Sequence, residues 1–442
     1  MITDNNPNID TNNKADCMIL NLWYSLNYGA GLTCYGTLCL MNGLGLNAKV
    51  INFVPQNFKN RFSGSFSEKF GNKYLNLTNP CVDYFDLAEL NNNCNTFITG
   101  SDQVWGAFIR NNHNLNSTLS TYMLDFVEGR NKKLSYAASF GVTSLENHQR
   151  EAVRLMKYFL PQFDCISVRE DEGKTLLKND FNLDAEQHID GAFHIPKDKL
   201  DEMAAQYPNK NGDYIALFSL PYFKDKSKYS EIINRLGKQL NLPVNEWEFD
   251  ITKDIEEWLS FIKNAKFVIT DSFHGVVFSI IFNIPFVQII NAVETQSRFE
   301  TLFRSLGIKN NSIKQNNENI DWDNIIAEYD WSSINAKIKS ECKRAEEWMH
   351  AALNTPVKNR PDDTLNYLIA KDGMTAPVGD MPDNITPLKK DIRLLVQKEK
   401  IFRKYYRYKI LSKILLGKKR EHYKQKRGKY KSYVRRIREL AK

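Results

Sequence analysis

His274 lies in the segment Asp271-Ser272-Phe273-His274-Gly275, between the apolar runs Phe267 to Thr270 and Val276 to Phe282. Runs of these lengths read as a short buried strand and a buried helix, with Asp271 to Gly275 as a polar turn between them. Asn283-Ile284-Pro285 then stops the helix, and Phe286 to Ile290 read as a second strand. The unit is βαβ, with an imidazole at the carboxyl end of its first strand. In open α/β sheets that edge is where ligands bind, and the adjoining helix N-terminus offers unpaired N–H groups to an anion. A histidine that only caps the helix or packs in the core is the competing reading.

Four more segments place polar groups just after strand-like runs. Asn27-Tyr28-Gly29-Ala30-Gly31 reads as a glycine-bearing loop before a helix from Leu32 to Met41, where glycine permits close backbone approach to a ligand. Gly100-Ser101-Asp102-Gln103-Val104-Trp105 follows the run Thr96 to Thr99. The other two are Ser135-Tyr136-Ala137-Ala138-Ser139-Phe140-Gly141 and Ile166-Ser167-Val168-Arg169-Glu170. Each alone is weak, since Ser or Asp after a strand is most often a helix cap. Together, five polar turns at the same ends of successive strands describe two facing rims of one cleft.

The elements that must hold these turns alternate along the chain. Strand-like runs occur at Met18 to Tyr24, Lys49 to Val54, Thr96 to Thr99, Lys133 to Ala137 and Cys165 to Val168. They continue at Tyr214 to Leu220, Phe267 to Thr270 and Phe286 to Ile290, with helical segments between. That alternation predicts an α/β protein with mostly parallel sheets. A polar stretch from Pro196 to Asp213 is the expected interdomain connection. It divides a domain at 16–195 from one at 196–355, after a polar, Asn-rich segment at 1–15. Trp322 to Leu353 read as terminal helices, one of them a candidate to cross back to the first domain.

With 442 residues, 42% hydrophobic and 25% charged, the chain is globular and too long for one ordinary core. Its start shows no secretory h-region, and no apolar run reaches eighteen residues. Its seven cysteines form no C-x-x-C pair or zinc spacing. These observations lead to the expectation of a cytoplasmic protein with reduced thiols. No residue set demands a metal, and neither G-x-x-x-x-G-K-[ST] nor a strand-borne G-x-G-x-x-G is present.

The formal charge of +8 is unevenly spread. Leu388 to Lys442 hold 22 of the 60 Lys+Arg and only 4 of the 52 Asp+Glu, so the remainder is acidic. Residues 356–387 carry five of the 14 prolines and read as a linker with little fixed structure. Beyond it, Phe402, Tyr406, Ile410 and Ile414 recur at i, i+4 among cations, with Gly417 ending the candidate helix. Residues 388–442 thus read as a basic amphipathic helical tail suited to an anionic membrane surface, at about 1 kcal/mol per cation near the lipid. Nucleic acid would satisfy the same charges and is the less favoured partner; a solvated tail is the plain alternative.

The five motifs, in this order from Asn27 to Gly275, resemble those of the polysaccharide pyruvyl transferases. A sixth segment, Ser297-Arg298-Phe299-Glu300-Thr301-Leu302 before Leu306-Gly307-Ile308, is similar to the end of that family's pattern. The likeness covers about residues 16 to 350. It departs at Ile189-Asp190-Gly191, where the family typically has L-D-P, so a different local turn is expected. It departs again at Lys309-Asn310-Asn311-Ser312. The resemblance implies a GT-B-like fold, two Rossmann-type domains facing each other across a cleft. It also implies transfer of a pyruvyl group from phosphoenolpyruvate to a saccharide hydroxyl pair, with release of phosphate. Phosphoenolpyruvate would be the donor substrate, with no separate cofactor. The acceptor would be a surface saccharide or its lipid-linked precursor, which suits an enzyme held peripherally at the inner membrane face.

On that implication His274 supplies acid/base function or holds the phosphate, because among the motif residues it alone titrates near neutral pH. Arg169 is the candidate anion clamp, a structural ion pair with Glu170 or another carboxylate being the alternative, and Arg298 could add a second contact from the other domain. Asn27, Tyr28, Ser101, Asp102 and Gln103 would face the acceptor, joined at the strand ends by Gly29, Ser139 and Ser272. Asp102 could instead be a base or an N-cap. Trp105 either stacks on a sugar or packs beneath its loop, packing being the commoner fate of an indole. Two readings compete with this one: a GT-B glycosyltransferase using a nucleotide sugar, and a non-catalytic anchoring or nucleic-acid-binding protein acting through its tail.

Overall fold

The computed structural model describes residues 14–54, 62–81, 84–106, 115–146, 150–220, 230–290, 296–309, 311–314, 320, 322–326, 328–360 and 431. The chain divides into two units, Met1–Asp362 and Asp363–Lys442. Apart from Lys431, the expected basic helices at 388–442 lie outside the described residues, as does most of the 356–387 linker.

Two parallel sheets form the first unit. One contains β1 (Cys17–Leu20), β2 (Ala48–Val50), β3 (Thr96–Thr99) and β4 (Lys132–Ser135), in the order β2-β1-β3-β4. Single parallel bridges, Leu134 to Cys165 and Ala138 to Val168, attach β5 (Ser167–Val168), which pairs in turn with β6 (Glu186–Gln187). Bridges from Val50 to Leu77 and Phe53 to Cys81 extend the opposite edge. The second sheet runs β11-β10-β9-β7-β8, from β7 (Ile215–Phe218), β8 (Val244–Glu246), β9 (Phe267–Thr270), β10 (Phe286–Ile290) and β11 (Ser312–Lys314). Strand order reverses between β1 and β3 in one sheet and between β7 and β9 in the other. Those reversals open crevices at the carboxyl edges, where such sheets bind ligands. The arrangement is α/β and GT-B-like, as the resemblance implied.

The first half carries helices α1 (Tyr28–Gly43), α2 (Phe66–Tyr74), α3 (Tyr84–Glu89), α4 (Leu115–Tyr122), α5 (Arg150–Phe159) and α6 (Asp171–Phe181). Next along the chain are α7 (Lys197–Ala205), α8 (Ser230–Leu240), α9 (Ile255–Lys263), α10 (Phe273–Ile281), α11 (Ser297–Leu306), α12 (Trp322–Ile325) and α13 (Trp331–Asn354). The strands β1, Cys-Met-Ile-Leu, and β9, Phe-Val-Ile-Thr, are buried along their whole length, as expected of parallel strands covered on both faces. One continuous apolar core includes Ile19, Tyr28 and Ile98 from the first half and Trp258, Val276 and Phe278 from the second.

Strands β3, β9 and β10 match their expected ranges, while β6, β8 and β11 carry too few apolar residues to have announced themselves. Two helices begin earlier than expected. The supposed glycine loop at 27–31 is the Asn27 cap and first turn of α1, and α10 begins at Phe273, so His274 is helical and not in a turn. The helix α13 does cross back to the first half: Lys132 Nζ donates to the carbonyls of Ala352 and Leu353, and Arg344 Nη2 donates to Gln187 Oε1. The start of the expected linker is also tied down. Arg360 Nη1 lies 3.0 Å from Asp164 Oδ1, with both side chains almost fully buried.

Candidate functional site

At the carboxyl end of β9, Thr270 Oγ1 accepts from the Ser272 N–H, and Ser272 Oγ accepts from the Gly275 N–H to cap α10. Asp271 Oδ1 accepts from the Leu220 N–H at 2.9 Å, joining the ends of β9 and β7 across the strand reversal. His274 is thereby held in the first turn of α10, 3% exposed. Its ring lies on the backbone of Gly29 in α1: a Cβ there would be 2.1 Å from His274 Cγ and 2.3 Å from Nδ1. Its Nε2 is 2.8 Å from Thr33 Oγ1 and 4.0 Å from Asp190 Oδ2. Burial pushes the imidazole pKa down; Asp102 and Asp190 oppose that, while Arg169 and Arg298 reinforce it. The helix N-terminus acts in the same direction as burial, so the neutral ring is favoured.

Asp190 joins these groups. Its Oδ1 accepts from Thr33 Oγ1 at 3.0 Å and from the Ala192 N–H at 2.9 Å, and its Oδ2 accepts from Arg169 Nη1 at 2.6 Å and Ser101 Oγ at 3.2 Å. Burial alone would push its carboxyl up, but the Arg169 guanidinium, helped by His274 and the Ala192 N–H, more than offsets this and holds it below the usual carboxylate range. The residue after it must be small. A Cβ on Gly191 would meet Thr37 Oγ1 at 2.6 Å and the Thr33 carbonyl at 2.7 Å, and one on Gly36 would meet the Gly191 carbonyl at 2.0 Å. This glycine contact lets the short 3₁₀ turn Gly191–His194 dock on α1, which is how the departure at Ile189-Asp190-Gly191 is accommodated.

Arg169, at the end of β5, is 3% exposed and spans three carboxylates: Asp190, Asp102 at 3.4 Å, and Glu170 with Oε2 3.9 Å from Arg169 Nε. Its hydrogen bonds run through Nη1, and Nε and Nη2 have no hydrogen-bond partner. Glu170 Oε1 accepts from Ser139 Oγ at 2.8 Å and from the Phe140 N–H at 3.1 Å, while Oε2 accepts from nothing. Burial raises the Glu170 pKa against the pull of Arg169. Arg298, at the start of α11, approaches from the other half. The guanidinium carbons of Arg169 and Arg298 lie 4.4 and 5.5 Å from the centre of the Phe273 ring. Oriented with its oxygen toward the cation, the Gln103 carboxamide accepts from Arg298 at 2.5 and 3.2 Å.

A neutral imidazole, two guanidiniums from opposite halves and a buried carboxylate at the carboxyl edges of two parallel sheets can hold a multiply charged anion and move a proton beside it. A sequence model of polysaccharide pyruvyl transferases matches residues 27–292, more than half of the chain. The chain belongs to the polysaccharide pyruvyl transferase family.

This pyruvyl transferase has no match among curated protein sequences. Among solved structures it is similar to a UDP-GlcNAc 2-epimerase from Neisseria meningitidis bound to UDP-GlcNAc, at 8% identity and a TM-score of 0.44, over 77% of this chain and 94% of that one. A UDP-GlcNAc 2-epimerase from Methanocaldococcus jannaschii in complex with UDP-GlcNAc and UDP aligns at 11% identity and 0.44, over 77% and 99%. An E. coli heptosyltransferase with ADP aligns at 11% and 0.36, over 74% and 99%.

The expected site residues of the transferase separate into those that meet and those that do not. His274, Arg169, Asp102, Ser101, Gln103 and Arg298 come together, and Arg298 does so from beyond the matched segment. Tyr28 does not face a sugar. Its ring is buried between Phe66 at 4.2 Å and Trp258 at 5.8 Å, and its hydroxyl donates to the Asp250 carbonyl, so it packs the two halves together. Asn27 is the cap of α1, accepting from the Gly29 N–H. Gly29 makes its close approach to the ring of His274. Ser139 is buried beneath Glu170, and Ser272 is the cap of α10. Asp102 caps no helix among the described residues, and Trp105 packs against Phe140 and Phe163. Thr33, Asp190, Glu170 and Phe273 were not singled out as site residues. Asp190 had a signal in the altered turn at 189–191, and Thr33 had one in the small-residue spacing Gly29, Thr33, Gly36, Thr37 along an otherwise apolar helix.

Proposed function

We propose that this pyruvyl transferase uses phosphoenolpyruvate as donor and forms a cyclic pyruvate ketal on two hydroxyls of a saccharide. The observation that carries this reading is Arg169. Its buried guanidinium makes its hydrogen bonds through Nη1, while Nε, 3.9 Å from Glu170 Oε2, and Nη2 hydrogen-bond to nothing, and that edge is the one that can take a carboxylate or phosphate through two parallel bonds. Arg298, its guanidinium carbon 5.5 Å from the centre of the same Phe273 ring, would take the second anionic group of the donor.

In this scheme the imidazolium of His274 gives a proton to the methylene carbon of phosphoenolpyruvate, using the alkene electron pair. The neighbouring carbon becomes cationic and is captured by one sugar hydroxyl, whose proton returns to the imidazole. The second hydroxyl then displaces phosphate, which leaves with that hydroxyl's proton. In the free protein the ring is neutral. The charges of a bound donor would favour the cation, so protonation is coupled to binding.

The acceptor is proposed to be a surface saccharide or its lipid-linked precursor, reached at an anionic membrane by residues 388–442. Flotation with anionic and neutral liposomes tests that placement, and equal failure to bind both would refute it. No helix among the described residues is long and apolar enough to cross a membrane.

Calorimetric titration with phosphoenolpyruvate tests the clamp. Arg169→Lys, confirmed folded by circular dichroism, is expected to weaken binding by about tenfold or more, because a point charge replaces a two-bond fork. Unchanged affinity would remove Arg169 from the donor site. Arg298→Lys provides the parallel measurement where the first variant does not fold.

A further inference from the structure

Thr33 lies between Asp190 and His274, and the hydrogen bonds it makes admit only one arrangement of protons. Its Oγ1 is 3.0 Å from Asp190 Oδ1 and 2.8 Å from His274 Nε2. A hydroxyl has one proton, and an ionised carboxylate can only accept. Arg169, bonded to Asp190 at 2.6 Å, keeps that carboxylate ionised. The proton between Thr33 and Asp190 is therefore the hydroxyl's own, and Thr33 offers the imidazole only a lone pair. The hydrogen between the ring and Thr33 must sit on Nε2. The Asp190 carboxylate, 4.0 Å from Nε2, favours the same placement.

We infer that Thr33 and Asp190 fix His274 in the Nε2–H tautomer and leave Nδ1 as the nitrogen that exchanges the reacting proton. Among the described residues Nδ1 has no hydrogen-bond partner; it lies over Gly29, whose missing side chain admits the ring edge. The charged groups facing the ring are Asp190 before the 3₁₀ turn, Asp102 beyond β3, Arg169 beyond β5 and Arg298 on α11. From α1 it meets the Thr33 hydroxyl and the backbone of Gly29. The role given to Nδ1 rests on the proposed pyruvyl transfer from phosphoenolpyruvate. In that reaction the Nδ1–H bond of the imidazolium breaks as the alkene pair forms the new C–H bond, leaving the neutral Nε2–H ring. The first attacking hydroxyl then returns a proton to Nδ1. Thr33 touches none of the reacting atoms and is a positioning residue.

The full-length chain labelled with ¹⁵N-histidine, with His274→Asn to assign the signal, provides the test. The neutral ring is expected to show protonated Nε2 and bare Nδ1 in the wild type and in Thr33→Ser, and a mixture of tautomers in Thr33→Val. Thr33→Val is nearly isosteric, and it leaves Asp190 Oδ1 its bond from the Ala192 N–H, so the fold is expected to persist. With phosphoenolpyruvate, Thr33→Val should lower kcat on the order of 10²-fold with KM little changed and displace the pH profile, and Thr33→Ser should restore both. A wild-type ring protonated on Nδ1, a tautomer unaffected by Thr33→Val, or full turnover in that variant would overturn the inference. A wild type that ignores phosphoenolpyruvate would instead remove the proposed reaction, and the ¹⁵N signals would still decide the relay.

Discussion

Gly29 and His274 form one unit at the scale of single residues. The imidazole occupies the space where any other residue at 29 would place its first carbon. Gly29→Ala should therefore push the ring off Thr33. We expect turnover to fall on the order of 10²-fold while the fold loses only about 1–3 kcal/mol, the usual penalty for overpacking. Steady-state rates beside urea denaturation separate the two effects, and unchanged turnover would show that the ring can move without consequence. The importance of a glycine here was legible in the sequence, but its partner was not. A glycine in a loop and a glycine under a side chain from 245 residues later look alike along the chain. Asp190 and Thr33 were hidden for the same reason: their bond joins residues 157 apart, and neither belongs to a motif whose spacing implies the other.

Among the elements, α1 does the most to build the site. One face carries Gly29, Thr33, Gly36 and Thr37 against His274 and the turn at Gly191, while Tyr28 anchors its start in the core shared by both halves. Tyr28→Phe should leave the KM for a saccharide unchanged and cost about 1 kcal/mol in urea denaturation through the lost bond to the Asp250 carbonyl. A large rise in that KM would return Tyr28 to the acceptor site. Strands were legible where they are buried on both faces, because β3, β9 and β10 must then be continuous apolar runs. The short strands β6, β8 and β11 hold Glu186, Gln187, Asn245, Glu246, Ser312 and Lys314, and their pairing comes from neighbouring strands, not from any pattern of their own. The starts of α1 and α10 are obscure in the sequence because their caps, Asn27 and Ser272, are residue types equally at home in ligand-facing loops.

For the molecule as a whole, burial of neutral histidines ties stability to pH. Burial pushes the pKa of His188 down to about 3 and that of His194 down to about 4, and His274 is lowered as well. The unfolded chain takes up protons at these residues below about pH 6.5 while the folded chain does not. Stability is thus full above that pH and should fall as the pH drops from about 7 to 5, as urea midpoints will show; His188→Gln should flatten the slope. The two halves share one core and are strapped by α13 and Arg360, and the guanidiniums of Arg169 and Arg298 both lie within 5.5 Å of the centre of the Phe273 ring. In the proposed reaction that meeting of halves would hold the donor. The most direct test incubates the protein with phosphoenolpyruvate and a pool of free and lipid-linked saccharides, following released phosphate and acceptor mass together. Each phosphate should accompany an acceptor heavier by one pyruvate less one water, and both should vanish in His274→Ala. A protein that releases no phosphate from phosphoenolpyruvate, yet releases nucleotide from a nucleotide sugar, would contradict the account.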